Sequence, residues 1–198
     1  MRTGMRLGAA AASLALLLGG PVAAAQAAPS PGQVQTHAGH GSEHLNLREQ
    51  LGLAVVRAST AAYHHIQIAQ ARGYSILADT AGKTCIDEPG MGGMGVHYVN
   101  GDLVGDDTVN ALHPEAMVYQ PVPGHPLRLV AVEYVVFKAA WDKTHNGRPH
   151  LFGHAFMLSP AGNRFGLPAF YSLHAWIWKH NPAGTFEMFN PNVSCPNQ

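Results

Sequence analysis

The spacing of apolar and polar residues predicts one long helix near the start of the chain. Between Asn46 and Arg72, at 100° per residue, a set of apolar side chains falls on one face. This set is Leu51, Val55, Ala58, Ala62, Ile66 and Ala69. Asn46 and Glu49 have the spacing of a capping box at the start of this helix, and Gly73 provides its end. His65 lies within the same apolar face.

After this segment, short apolar runs separated by Gly, Pro and Asn are typical of strands and turns. The predicted strands are Val96–Val99, Ala116–Tyr119, Leu127–Phe137, Leu151–Leu158 and Tyr171–Trp178. The turn QPVPGHP joins the second and third strands in a hairpin. We therefore expect an α+β fold, in which one long N-terminal helix packs on a mainly antiparallel sheet.

The N-terminal residues differ from this pattern and predict export. Residues 1–27 combine two arginines, a short apolar run and a small-x-small cleavage pattern, as secretory signal peptides do. Residues 28–45 are rich in Pro, Gly, Ser and Gln and predict a disordered arm that contains histidines. We expect one domain over residues 46–198, secreted after cleavage of the signal peptide.

Charge and cysteine content narrow the class of protein. The 198 residues include 12 Lys and Arg and 12 Asp and Glu, so no basic surplus indicates nucleic acid or an anionic membrane as partner. The even number of cysteines predicts a disulfide between Cys85 and Cys195 in a secreted chain. Two thiolate metal ligands are the alternative. The sequence also lacks the G-x-S-x-G motif of serine hydrolases.

Polar residues inside apolar strands are the candidates for chemistry. Glu133 interrupts LRLVAVEYVVF, which is apolar on both faces and is therefore expected to be buried. A buried carboxylate must be protonated, paired with a cation or bound to a metal. His174 lies in LHAWIWKH, and His97 follows the glycines of GMGGMGVHYVN.

Together these residues predict a site for a divalent metal ion. Its ligands are His97, Glu133 and His174, with His65 as the fourth. Two or three imidazoles and one carboxylate are a common ligand set for zinc, iron or copper. The predicted walls of the adjoining pocket are Trp176, Trp178 and Tyr98, and a small molecule is a possible further ligand.

Several other residues are weaker candidates for the same chemistry. The reserve ligands are His64, His150, His154 and Glu115. His37, His40 and His44 of the predicted arm form a tract of the kind that binds metal loosely. The methionines at 91, 94, 117, 157 and 188 offer thioether ligands for copper, although methionine is more often core filler.

Three functions are compatible with these residues. The first is a secreted protein that binds or sequesters a divalent metal, and the second is a secreted metalloenzyme that uses the same site, as a hydrolase or oxidoreductase. The third is a binding or structural domain without metal, in which His and Glu form a buried hydrogen-bond network.

Four segments of the chain resemble a family of secreted bacterial proteins found chiefly in actinobacteria. They are AYHHIQIAQARGY, GMGVHYVN, LVAVEYVVF and LHAWIWKHNPAGTF followed by NPNVSC, within residues 50–195. The resemblance implies secretion but no particular activity. Position 65 is often acidic in that family pattern, so His65 is a departure from it that a metal site would tolerate.

Overall fold

The computed structural model describes residues 45–196, so the predicted signal peptide and nearly all of the predicted arm lie outside it. The helices are α1 (Leu47–Thr60), α2 (Ile66–Ala71), α3 (Gly101–Val104) and α4 (Lys138–Trp141), with a 3₁₀ turn over Ala61–His64. The strands are β1 (Tyr74–Ile76), β2 (Cys85–Glu88), β3 (Gly92–Asn100), β4 (Ala116–Val122), β5 (His125–Phe137), β6 (His150–Leu151), β7 (His154–Ala155), β8 (Met157–Ser159) and β9 (Phe170–Ala175).

Seven strands form one antiparallel sheet in the order β1-β3-β4-β5-β9-β8, with β2 also paired to β3. β1 pairs with the C-terminal half of β3 and β2 with its N-terminal half. β6 and β7 form a separate two-stranded ribbon. The α+β class and the antiparallel sheet are therefore confirmed.

The two faces of the sheet have different coverings. On one face, Leu53 and Val56 of α1 pack with Tyr119 and Tyr134 of the central strands in the main core. On the other face, Val104 of α3 packs against β5 and β9 and the segment between β8 and β9. The C-terminal tail, residues 176–196, packs there too, where Val193 contacts Val118, Val130 and Ala131 in a second small cluster. The β-branched residues of β5 suit a strand that is buried on both sides.

The prediction of a single long helix is wrong, because the helix is interrupted after Thr60. The hydroxyl groups of Ser59 and Thr60 both donate to the carbonyl of Val56, at 3.0 and 2.7 Å. Such bonds compete with the helical backbone ladder. The chain then tightens into the 3₁₀ turn, where the carbonyl of Tyr63 accepts from the Tyr119 hydroxyl. His65 is extended, and α2 begins at the next residue.

The expected buried face of the helix is also wrong in part. Leu51 and Val55 are 60% and 52% exposed, whereas Leu53, Val56 and Thr60 are buried. The helix therefore has apolar residues on two faces. The sheet covers the face with Leu53 and Val56, and the predicted face with Leu51 and Val55 is exposed.

The predicted strand Leu151–Leu158 is three short strands. Phe152 and Gly153 both have positive φ, so the chain reverses between β6 and β7. The hairpin of β4 and β5 is tighter than expected, because Val122 already pairs with His125.

The glycine-rich segment forms a turn at Gly90 and Met91, and β3 begins at Gly92. Gly92 and Gly93 lie against the tail, where the backbones of Gly93 and Asn190 exchange two hydrogen bonds of 3.1 and 3.0 Å. A Cβ at Gly92 would lie 2.2 Å from the Asn190 oxygen. The predicted disulfide between Cys85 and Cys195 is confirmed and ties this tail to β2. Within residues 45–196, no helix has the length and apolarity needed to cross a membrane.

Candidate metal centre

Three polar residues from three strands meet on the sheet face opposite α1. His97 belongs to β3, Glu133 to β5 and His174 to β9. Glu133 and His174 face each other directly across the β5–β9 pair, whereas β4 separates β3 from β5. Ala116 of β4 lies opposite Glu133, and Ala131 precedes Glu133 on the same face of β5. These small side chains leave room for His97 to approach Glu133.

The three side chains are buried and lie within contact of one another. His97, Glu133 and His174 are 3%, 9% and 2% exposed. His97 Nε2 lies 3.3 Å from His174 Nε2 and 3.4 Å from Glu133 Oε2. His174 Nδ1 lies 3.4 Å from Glu133 Oε1. One ligand atom per residue can be chosen so that all three lie within 4.8 Å of one another.

These distances are long for hydrogen bonds. A bond between a charged N–H and a carboxylate usually measures about 2.7–2.9 Å. His97 Nε2 faces two partners and carries at most one hydrogen. Its Nδ1 is buried near the backbone of Gly95. By contrast, two ligand atoms of a tetrahedral zinc site, each about 2.05 Å from the ion, are about 3.3 Å apart.

Burial sets the protonation of the group. Loss of solvent lowers the pKa of His97 to about 4, against the opposing effect of the Glu133 carboxylate. Loss of solvent also lowers the pKa of His174 to about 3. The pKa of Glu133 is raised by burial, while His97 and the Ser172 hydroxyl counteract the rise. Both imidazoles are therefore neutral at pH 7, which is the state that binds metal.

A cavity of about 220 Å³ adjoins the group. His97, Glu133 and Ser172 line it at the buried end, and most of the other lining residues are apolar. Sequence reasoning missed Ser172, although it lies two residues before His174 and thus on the same face of β9. The group can therefore present a bound ion to a small molecule in this cavity.

His65, the predicted fourth ligand, is exposed and does not join the group. It precedes α2 in extended conformation, on the helix side of the sheet. The prediction failed because it continued one helical period past Thr60, where the helix ends. His64 is exposed as well and packs edge-on against Trp178, with ring centroids 4.4 Å apart.

The predicted pocket walls are wrong. None of Tyr98, Trp176 and Trp178 lines the cavity. Tyr98 belongs to the core on the α1 side of the sheet. Trp176 stacks beside His174 with ring centroids 6.1 Å apart, and its indole N–H donates to the Glu187 carbonyl. Strand β9 ends at Ala175, so the alternation that placed Trp178 on the same face ends there too.

The reserve ligands lie elsewhere in the described residues. Glu115 is buried, and its Oε2 accepts a hydrogen bond from the Val135 backbone at 2.9 Å. His154 lies 3.5 Å from Glu49, near the start of α1. His150 is exposed. The histidines at 37, 40 and 44 lie outside the described residues.

Two of the five candidate methionines line the cavity, namely Met94 and Met188. Met117 is in the core on the opposite side of the sheet, and Met91 and Met157 are exposed. A thioether contribution to the site is therefore confined to residues of β3 and of the tail.

Comparison with known protein families, with curated proteins and with solved structures finds no match to this chain. The resemblance to secreted actinobacterial proteins therefore stays a prediction. The function has to be argued from the geometry of His97, Glu133 and His174.

Proposed function

We propose that this protein binds one divalent metal ion through His97, Glu133 and His174. The observation that carries the proposal is the position of His97 Nε2, which lies 3.3 Å from His174 Nε2 and 3.4 Å from Glu133 Oε2, separations typical of tetrahedral ligands and longer than ordinary hydrogen bonds. A shared cation would also remove the cost of burying a carboxylate beside two unprotonated imidazoles.

Each residue has a defined part in this proposal. His97 and His174 bind the ion through Nε2, the atoms that face each other at 3.3 Å. Glu133 binds through Oε2, which lies 3.4 Å from His97 Nε2. Two histidines and one carboxylate are the ligands of many zinc and iron(II) sites. Copper stays a candidate because Met94 and Met188 are near.

The proposal includes export from the cell, as the family resemblance implies. The Cys85–Cys195 disulfide supports an oxidising compartment. N-terminal sequencing of the protein collected from the culture medium of an expressing bacterium should give Ala28 as the first residue. Retention of the uncleaved chain in the cytoplasm would contradict export but would not affect the metal site.

Metal analysis tests the site itself. The chain from residue 28 should carry His37→Ala, His40→Ala and His44→Ala, so that loose binding by the predicted arm is removed. Purified without chelators, it should hold about one ion per chain by elemental mass spectrometry. Competition among zinc, copper and iron(II) then identifies the preferred metal.

Two matched variants show whether the bound ion is at the proposed position. Glu133→Gln should lower affinity by at least about 100-fold, because an anionic ligand becomes a neutral amide. Glu115→Gln is the control, since Glu115 is equally buried but outside the group. Unchanged affinity in Glu133→Gln, or no uptake by the parent chain, would refute the proposal and leave a buried hydrogen-bond network.

The cavity favours a second candidate function, a metalloenzyme that uses the same ligands. Three protein ligands leave a coordination position for water or substrate, as in catalytic zinc sites. X-ray absorption spectroscopy of the metal-loaded protein counts the ligands. A fourth, oxygen ligand from solvent would support this candidate, whereas a fourth protein ligand would exclude it.

A further inference from the structure

The buried polar side chains of the cavity beside the candidate metal centre lie at one end of it. Its polar lining side chains are His97, Glu133, Ser159 and Ser172. The remaining lining residues are glycine or apolar: Leu77, Met94, Val99, Gly101, Val104, Val135, Phe137, Phe165, Leu167, Phe170 and Met188. A ligand that fits this surface has an apolar body and one polar head.

The residues that line the cavity also indicate how the ligand is oriented. His97, Glu133 and Ser172 are buried, whereas Phe137 and Leu167 are half-buried. The metal centre therefore lies at the inner end, and the apolar residues lead outward. A ligand would enter with its polar head first.

The volume limits the size of the body. A cavity of about 150 Å³ lined by apolar residues binds benzene, and this one measures about 220 Å³. A single ring with a short substituent therefore fits, whereas two fused rings with substituents do not. The walls include Phe137, Phe165 and Phe170, whose rings favour edge-to-face or stacked packing with an aromatic ligand.

The net charge of the proposed metal centre determines which charge the polar head of the ligand should carry. A divalent ion with one carboxylate and two neutral imidazoles carries a net charge of +1. No lysine or arginine lines the cavity in the described part of the chain, so the ion itself is the positive partner for a ligand. A monoanion neutralises the centre, and a carboxylate does so through an oxygen that replaces water at the open position.

We infer that the cavity binds a small aromatic carboxylate whose carboxylate coordinates the metal ion and whose ring packs against the three phenylalanines. This inference rests on the proposed metal site, because the ion supplies the positive charge that the carboxylate needs. It commits to binding and assigns no chemical step.

Three probes separate the contributions of the head and the body. They are 4-ethylbenzoate, acetate, which has the head alone, and ethylbenzene, which has the body alone. Titrated into zinc-loaded protein by calorimetry, 4-ethylbenzoate should bind at least about 100-fold more tightly than acetate, since each buried CH₂ contributes about 0.8 kcal/mol. It should also bind more tightly than ethylbenzene, and should bind much more weakly to metal-free protein.

A cobalt(II)-loaded sample tests coordination directly. Its visible absorption should change on addition of 4-ethylbenzoate and should stay constant on addition of ethylbenzene. An unchanged spectrum with 4-ethylbenzoate bound would mean that the carboxylate does not reach the ion, which overturns the inference.

Two substitutions test whether the aromatic ring of 4-ethylbenzoate lies in the cavity. Val104→Phe fills the cavity and should weaken 4-ethylbenzoate binding at least tenfold while the protein still holds one metal ion. Val55→Phe is the matched control on the exposed side of α1 and should change neither property. Leu167→Trp, at the half-buried end of the cavity, replaces Val104→Phe if that variant does not fold.

The outcomes distinguish the two proposals. A protein that takes up no metal refutes both the metal site and this inference. A protein that holds one metal ion but binds the three probes equally, or binds 4-ethylbenzoate equally well in Val104→Phe, refutes only the inference.

Discussion

At the scale of single residues, Glu133 and Glu115 are both buried, and the cost of burying a carboxyl group is offset differently in each. Glu133 lies between two imidazoles in a group that fits a cation. Glu115 has no such partners and is stabilised by one hydrogen bond from the Val135 backbone. Burial raises the pKa of Glu115 to about 8, although that hydrogen bond opposes the rise. Glu115 therefore stays protonated at neutral pH, whereas Glu133 can ionise when a metal binds.

Glu115 should make the stability of the metal-free protein depend on pH. Its pKa is about 8 in the folded state and near the ordinary value of 4.5 in the unfolded chain. The folded state therefore binds the extra proton, so this contribution is present below pH 4.5 and is lost as pH rises through 8. Relative to Glu115→Gln, the parent should lose on the order of 4 kcal/mol of unfolding free energy across that interval.

Urea denaturation of both proteins at several pH values measures this difference. The amide of Glu115→Gln stays neutral and can still accept from the Val135 backbone, so the comparison isolates the ionisation. A difference in unfolding free energy that is constant from pH 5 to pH 9 would mean that Glu115 titrates normally.

The grouping of His97, Glu133 and His174 was predictable from sequence, because each is a polar residue inside a strand-like apolar run. Strand patterns have a period of two residues, which tolerates errors at strand ends. His65 was not predictable, because its position depended on helical phase over five turns. A break at Thr60 changes that phase, and the side-chain hydrogen bonds at the break involve residues with no distinctive local pattern.

At the scale of elements, β3 combines the candidate ligand His97 with three glycines that let other backbones approach. Gly95 has φ +102, and a Cβ there would lie 2.5 Å from the carbonyl oxygen of Tyr119 on β4. This glycine lies two residues before His97. The close pairing of β3 with β4 therefore sets the position of the first ligand relative to the other two.

Gly95→Ala should destabilise the protein strongly. The new methyl group meets a backbone atom that cannot move without breaking the sheet, and the backbone conformation is unfavourable for alanine. We expect the unfolding free energy, measured by urea denaturation, to fall by more than about 2 kcal/mol.

Gly101→Ala provides the comparison for that variant. A Cβ at Gly101 meets nothing within 4 Å, and its φ is not positive. Its unfolding free energy should stay within about 0.5 kcal/mol of the parent value. Equal stability of the two variants would show that the approach of β4 to Gly95 is not a constraint.

The elements themselves were predictable to different degrees. The long alternating or apolar runs of β4, β5 and β9 gave the antiparallel sheet. The start of β3 was not predictable, because GMGGMG has the composition of a turn. Its strand conformation depends on pairing with Asn190, which is about 100 positions away in sequence.

At the scale of the whole molecule, the C-terminal tail closes the side of the sheet that carries the candidate metal centre. Met188 lines the cavity, and Asn190 is hydrogen-bonded to Gly93 on β3. The disulfide between Cys85 and Cys195 holds the end of this tail on β2. The tail is thus fixed at two points that follow Met188, the residue that borders the cavity.

Removal of the disulfide should therefore affect both stability and the tail. The double variant Cys85→Ser/Cys195→Ser should lose about 2–5 kcal/mol of unfolding free energy, because the bridge closes a long loop in the unfolded chain. Urea denaturation measures this loss. Amide hydrogen exchange should show reduced protection at Gly93 and Asn190, whose backbone bonds hold the tail on β3.

Amides in the central strands provide the internal control for local opening. Under conditions where the variant is folded, Val118 and Val132 should exchange far more slowly than Gly93, because β4 and β5 are paired on both sides. Metal affinity should fall less than in Glu133→Gln, since all three ligands belong to β3, β5 and β9 rather than to the tail. Full protection at Gly93 and Asn190 in the double variant would mean that packing alone holds the tail, and the disulfide would then have no part in closing the cavity.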